Sequence, residues 1–325
     1  MLDIWLPLIG GLVLLVAGGD LLVRGAVKVA EQLGVSPLVI ALTLVGFGTS
    51  TPELVTSVQA ALSGSPGIAF GNIVGSNIAN ILLIVGISAM LFPIAVSSSA
   101  LRRDAMVMLA VAVGFAALSF LVPLGRLVGA CLILVLVAYI YAAFRQERAS
   151  SMHGAVYEKA AALEAVDPAL TPHVARGGTL VLPIALAIGG LVLVVAGGYF
   201  LVDGAVAIAQ SFGIPETVIG LTIVAVGTSM PELVTSVVAA LKKQSDVAFG
   251  NIVGSNIYNI LGIGGATALI SPTRVPSEIV TFDNLLMVGV SLLLVIFAAT
   301  GLRIARGEGA VLLAGYVAYL YVLWP

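Results

Sequence analysis

Apolar residues in this chain gather into long runs, and the polar residues fall mostly between them. Ten such runs stand out, at residues 4–30, 35–62, 68–92, 104–122, 127–144, 179–212, 214–241, 247–270, 281–300 and 309–323. A helix needs about 20 apolar residues to cross the hydrocarbon of a bilayer, so the pattern predicts a helical protein that crosses a membrane repeatedly. The only sizeable polar stretch is 145–178, between the fifth and sixth runs. It mixes Arg, Glu and Ala with Pro168 and Pro172, which predicts a loop containing at most a short surface helix. His153 and His173 lie there and read as solvated side chains rather than as a metal pair.

Composition sharpens this picture. Of 325 residues, 60% are hydrophobic and 9% charged, against about 25% charged in a soluble domain. The class is an all-α polytopic membrane protein. The start, Met1-Leu2-Asp3, lacks a basic n-region, and the first apolar run is too long for a signal peptide. A lone cysteine, Cys131, rules out an intramolecular disulfide and reads as a packing residue. The net charge of −2 gives no reason to expect nucleic acid as a partner.

The chain repeats itself. Pro52-Glu53-Leu54-Val55-Thr56-Ser57 recurs as Pro231-Glu232-Leu233-Val234-Thr235-Ser236, an offset of 231 − 52 = 179. At the same offset, Gly71-Asn72-Ile73-Val74-Gly75-Ser76-Asn77-Ile78 recurs as Gly250-Asn251-Ile252-Val253-Gly254-Ser255-Asn256-Ile257. One five-helix unit is therefore used twice, as residues 1–145 and 179–325, joined by the loop 146–178. Because five is odd, the second copy must enter the membrane from the opposite side. With both termini outside, twelve of the fourteen Lys and Arg residues sit at inner ends, and only Arg126 and Arg274 at outer ones. That bias sets the orientation and makes the 146–178 loop cytoplasmic. Inverted repeats with interrupted helices put substrate sites at the membrane midplane, where the repeats meet.

The candidate chemistry lies in those repeats. Glu53 and Glu232 stand in apolar runs beside Pro52 and Pro231. An acid at mid-membrane costs roughly 2.5–3.5 kcal/mol on insertion scales and is functional by default. Thr49, Glu53 and Ser57 are spaced by four and so share one helix face, with Ser50 three residues from Glu53 and close to it, and Asn72, Ser76 and Asn80 form a polar stripe on the next helix. Thr228, Ser229, Ser236, Asn251, Ser255 and Asn259 repeat the set. Two carboxylates ringed by hydroxyl and amide oxygens, without Cys or His, suit Ca²⁺, Na⁺ or Mg²⁺ rather than zinc or copper. Taken singly, the prolines could be kinks and the Ser, Thr and Asn residues interhelical hydrogen-bonding groups; two matched acids argue otherwise. Asp20, with Arg24 one turn on, reads as an ion pair, and Asp203 as a solvated or cation-gathering residue near an outer end.

The stretch Gly48-Thr49-Ser50-Thr51-Pro52-Glu53-Leu54, followed by Gly71-Asn72 and Gly75-Ser76-Asn77-Ile78 with Asn80, resembles the first α-repeat of the calcium/cation antiporter superfamily. Gly227-Thr228-Ser229-Met230-Pro231-Glu232-Leu233, with Gly250-Asn251, Gly254-Ser255-Asn256-Ile257 and Asn259, resembles the second. Within that superfamily the chain is most similar to prokaryotic sodium/calcium exchangers. The resemblance implies an alternating-access antiporter that expels Ca²⁺ against Na⁺ across the cell membrane. It implies Glu53 and Glu232 as central carboxylates, and Thr49 and Thr228 as carbonyl donors to calcium. It further implies Ser50, Ser76, Ser229 and Ser255 at flanking sodium sites, with Asn80 and Asn259 lining the centre. Relatives that need potassium carry Asp where this chain has Asn259, so potassium independence is expected. The short loop leaves no room for the large calcium-sensing domains of animal exchangers.

The expected partners are thus Ca²⁺, Na⁺ and the lipid bilayer, with no cofactor and no enzymatic activity; nothing in the sequence identifies a protein partner. An H⁺/Ca²⁺ antiporter on the same fold is the alternative, because neighbouring carboxylates can share protons. A hydrolase using the acid pair for acid–base work would leave the duplicated ligands unexplained, and a passive channel has no need of paired broken helices.

Overall fold

The computed structural model describes residues 2–35, 37–96, 101–149, 154–172 and 179–324. His153 and His173 lie outside the described residues. The longer helices are α1 (Leu2–Gln32), α2 (Thr51–Leu62), α3 (Pro66–Ala79), α4 (Met106–Leu121), α5 (Arg126–Ala149) and α6 (Ala155–Val166). They continue as α7 (Val181–Phe212), α8 (Met230–Leu241), α9 (Ser245–Tyr258), α10 (Asn284–Ala299) and α11 (Arg306–Leu323). This is a multi-pass helical membrane protein. Among the described residues, seven helices are long and apolar enough to cross a membrane, and an eighth candidate is a pair bent by 49° between Thr228 and Met230. Residues 37–62 are divided at Ser50, and α11 opens on the charges Arg306 and Glu308, so neither adds to that number.

The sequence repeat is written into the element boundaries. Adding 179 to the ends of α2 and α3 gives the ends of α8 and α9. Both halves also carry wide π-helical turns at matched places. Ala41–Val45 and Gly220–Val224 precede the breaks, while Asn80–Val85 and Asn259–Gly264 follow α3 and α9. A π turn is costly and gathers at functional sites. Nothing in the hydrophobic pattern marks the second pair of turns, because all but one residue in each is buried and no face alternates.

Helices α1 and α7 lie antiparallel along the glycines that recur every seventh residue, Gly11, Gly18 and Gly25 against Gly190, Gly197 and Gly204. A Cβ at Gly18 would stand 2.7 Å from the Val194 nitrogen and 2.9 Å from the Gly190 oxygen, so the two backbones touch. With lipid as apolar as leucine, such close backbone packing is what holds membrane helices together. At two places the halves are clasped by short extended segments. Ile94–Ala95 pairs with Arg303–Ile304, and Leu124 with Thr273. Cys131 is exposed on α5 and not packed inside, a correction to the sequence reading. Asp20 and Arg24 do pair, at 2.8 Å, and Asp203 is exposed.

Candidate ion-binding site

Pro52 and Pro231 do not kink a continuous helix; they begin new ones. Ser50 (φ −88°, ψ 9°) and Ser229 (φ −81°, ψ 9°) leave the helical region, and each proline follows in the first turn of α2 or α8. A missing N–H costs nothing there, and the fixed φ suits the start of a helix. Glu53 and Glu232 fall in those same first turns, where the helix dipole favours a negative charge. The break therefore separates Thr49 from the helix that carries Glu53 and Ser57, so those three do not share one helical face.

Glu53 and Glu232 are buried, and the two halves bind each other through them. Ser50 donates to Glu232 Oε1 at 3.1 Å, and Ser229 donates to Glu53 Oε1 at 3.1 Å. Behind each acid an asparagine fixes the backbone. Asn72 donates to the Glu53 carbonyl (3.1 Å) and to Ser57 (2.9 Å). Asn251 donates to the Glu232 carbonyl (3.4 Å) and to Ser236 (2.8 Å). Ser76 lies against Asn72 at 3.4 Å, and Asn80 donates to Asn256 Oδ1 at 2.9 Å. Thr228 donates to Asn72 Oδ1 at 2.9 Å. All ten expected site residues are buried; Asn259, the last of them, opens the π turn after α9.

Several oxygens here have no hydrogen-bond partner: Glu53 Oε2, Glu232 Oε2, Asn80 Oδ1, Asn251 Oδ1 and Asn259 Oδ1. A buried acceptor without a donor costs about 1–3 kcal/mol, more when charged. A cluster of them between two broken helices is chemically suited to a hard cation, whose coordination replaces the missing donors. No group of three or more His, Cys, Asp and Glu residues that could hold a metal occurs among the described residues.

One participant went unread in the sequence. Lys159 counted only as an inner-loop charge, yet its side chain is wholly buried on α6. Its Nζ donates to Thr49 Oγ1 (2.8 Å) and Ser50 Oγ (3.1 Å), reaches Glu232 Oε1 at 3.3 Å and also touches Ser255 Oγ. Removal from water pulls its pKa below the ordinary lysine value, while Glu232 and then Glu53 act to raise it. The expected surface helix is thus a buried one, with Ala155, Val156, Ala160 and Ala162 also covered. The available signal was a small-residue face, Ala155, Ala162 and neighbours, flanking a single lysine.

The family profile described as sodium/calcium exchanger protein matches residues 4–145 and 182–324. The chain belongs to this family. Among exchanger-family relatives, the chain is 38% identical to the putative antiporter CaxA of Alkalimonas amylolytica, covering 97% of this chain and 96% of that one. It is likewise 38% identical to the sodium/calcium exchanger MaX1 of Methanosarcina acetivorans, over 98% of each. Among solved structures, the sodium-calcium exchanger NCX_Mj soaked with Na⁺ and Sr²⁺ superposes with a TM-score of 0.63 at 31% identity, over 98% of both chains. The exchanger family is one of transporters, not of enzymes. Its profile brackets the segment carrying α6 and leaves that segment between its two matched parts.

Proposed function

We propose that this chain is a secondary active antiporter that exports Ca²⁺ in exchange for Na⁺ by alternating access. Its ten membrane helices form two inverted five-helix repeats, 1–145 and 179–325, in the cell membrane. Both termini face outward, and the 146–178 loop faces the cytoplasm. Glu53 and Glu232 are the central carboxylates, with Thr49, Thr228, Ser50, Ser229, Ser76, Ser255, Asn80 and Asn259 as the surrounding ligands. No cofactor takes part.

One observation carries this reading: two buried acids from matched helix breaks, held by reciprocal serine bonds and flanked by unpartnered oxygens. The antiparallel packing of α1 on α7 supports inversion, since these are the first helices of the two repeats. Arg24 pairs with Asp167, and Lys242 donates to the Ala165 carbonyl at 2.7 Å. Both basic residues contact the loop, which supports placing all three on one side of the membrane, and the excess of Lys and Arg there makes that side the inner one in this reading.

With two ionised carboxylates, one Ca²⁺ neutralises the site and three Na⁺ leave it at +1. Exchange then moves net charge, driven by about 2.3 kcal/mol per charge per 100 mV. Proteoliposomes containing the purified protein test this directly. Calcium uptake should follow an outward sodium gradient, respond to an imposed potential and persist without potassium. Uptake driven by a proton gradient alone would make the chain an H⁺/Ca²⁺ antiporter, and flux that needs no counter-gradient would make it a channel. Flux that vanished without potassium would overturn the reading of Asn259.

A further inference from the structure

The repeat makes a prediction that the molecule breaks. On α3, Gly71 and Gly75 receive the π turn Gly220–Val224. A Cβ at Gly71 would lie 2.9 Å from Gly220, and one at Gly75 would lie 2.5 Å from the Leu221 oxygen. By the offset of 179, Gly250 and Gly254 on α9 should receive the turn Ala41–Val45 in the same way. They receive α6 instead: Gly250 faces Glu158, and Gly254 faces the Ala155 carbonyl (3.0 Å) and the Lys159 side chain (3.3 Å). A segment from the inter-repeat loop has taken the place of a membrane helix.

The polar contacts break symmetry at the same point. Thr228 donates to Asn72 Oδ1, so Thr49 should donate to Asn251 Oδ1. Instead Thr49 receives the Lys159 ammonium, and Asn251 Oδ1 is left without a partner. The set Thr49, Ser50, Glu232 and Ser255 surrounds Lys159 Nζ as oxygen ligands surround a cation. Its counterpart, Thr228, Ser229, Glu53 and Ser76, holds no lysine. The plug is held at both ends. Asp104 accepts the Ala155 N–H at 2.8 Å at the start of α6, and Arg24 pairs with Asp167 just beyond its end.

We propose that α6 is a tethered plug of the inner ion pathway, with the Lys159 ammonium standing in for a transported cation at the Thr49–Ser50–Glu232–Ser255 position. This rests on the antiporter reading of the site. Lys159 reduces the charge of the acid pair from −2 to −1. Its Nζ already takes Thr49, Ser50, Glu232 and Ser255, the oxygens that a Ca²⁺ at this position would need. Calcium and Lys159 therefore exclude each other, and the inner pathway opens only when α6 withdraws.

Two measurements test this. The first is equilibrium binding of Ca²⁺ to purified wild type, Lys159→Ala and Lys159→Arg. Removing the ammonium should tighten apparent calcium binding at least tenfold, while arginine should not. The second places a cysteine at the buried Ala162 in a Cys131→Ala background. Its maleimide labelling should be slow in ion-free buffer and several-fold faster in saturating Ca²⁺. Equal calcium affinity in wild type and Lys159→Ala, or binding that leaves labelling unchanged, would overturn the plug while leaving the antiporter intact. Calcium binding by neither protein would overturn both. If Lys159→Ala fails to fold, the labelling experiment decides, since it keeps the lysine.

Discussion

The two acids have the same sequence context and different company. Glu53 is met by Ser229 and its own half's Asn72, with Thr228 bonded to that asparagine. Glu232 is met by Ser50 and Asn251, and also by a lysine from outside the repeat. Two carboxylate surroundings that the repeat makes equal are thereby made unequal by one side chain. Sequence repetition fixes which residues are available; the inter-repeat segment decides which of them are engaged.

The largest expected effect tests what the two acids share. Glu53→Gln and Glu232→Gln should each abolish sodium-driven calcium flux in proteoliposomes, because half of the site's charge is lost in either case. Full exchange in both mutants would remove the carboxylates from the mechanism.

The next effect separates them. Glu232→Gln leaves Lys159 buried without its counter-charge, and breaking a buried pair from one side costs about 3–5 kcal/mol. Glu53→Gln removes a charge that makes no ion pair among the described residues and relieves repulsion between the acids, so its melting temperature in detergent should stay near that of wild type or rise. Equal melting of the two mutants would mean that Lys159 does not discriminate between the acids.

A smaller contrast lies in the glycines. Gly75→Ala drives a methyl into the Leu221 carbonyl at 2.5 Å, backbone against backbone, and overpacking of that kind costs about 1–3 kcal/mol. Gly254→Ala meets only α6, which can retreat. The first should lower thermal stability clearly. The second should melt close to wild type and bind calcium more tightly. Smallest of all is Arg24→Gln, which removes partly exposed pairs to Asp20 and Asp167. Such pairs contribute about 0–1 kcal/mol, so only a slight rise in the rate of Ala162→Cys labelling is expected.

Much of this was legible from residue pattern. The apolar runs fall on the long helices, and the repeated Pro-Glu and Gly-Asn motifs fall on the breaks and on the buried stripes of α3 and α9. Spacing puts Ser50 beside Glu53, three residues on, whereas in the fold its hydroxyl bonds Glu232 of the other half. What escaped were features without a local signature. The π turns keep the composition of the helix around them. The break at Ser50 moved Thr49 off the face of Glu53, which spacing on an ideal helix cannot anticipate. Lys159 escaped because a lysine in a polar loop is normally solvated; its burial depends on Gly250 and Gly254, about ninety residues away, opening a groove for α6.

Glu158 and Glu164 share α6 with Lys159 and leave the helix a net charge of −1. Withdrawal of the proposed plug therefore moves the lysine together with an acid one residue away, and little net charge crosses the field. Such a gate answers to ions rather than to voltage. Calcium arriving at the acids would displace the lysine from Thr49 and Glu232, and scarcity of calcium would let it settle back. An exchanger wired this way idles when there is little to export, its acids held by a side chain of its own.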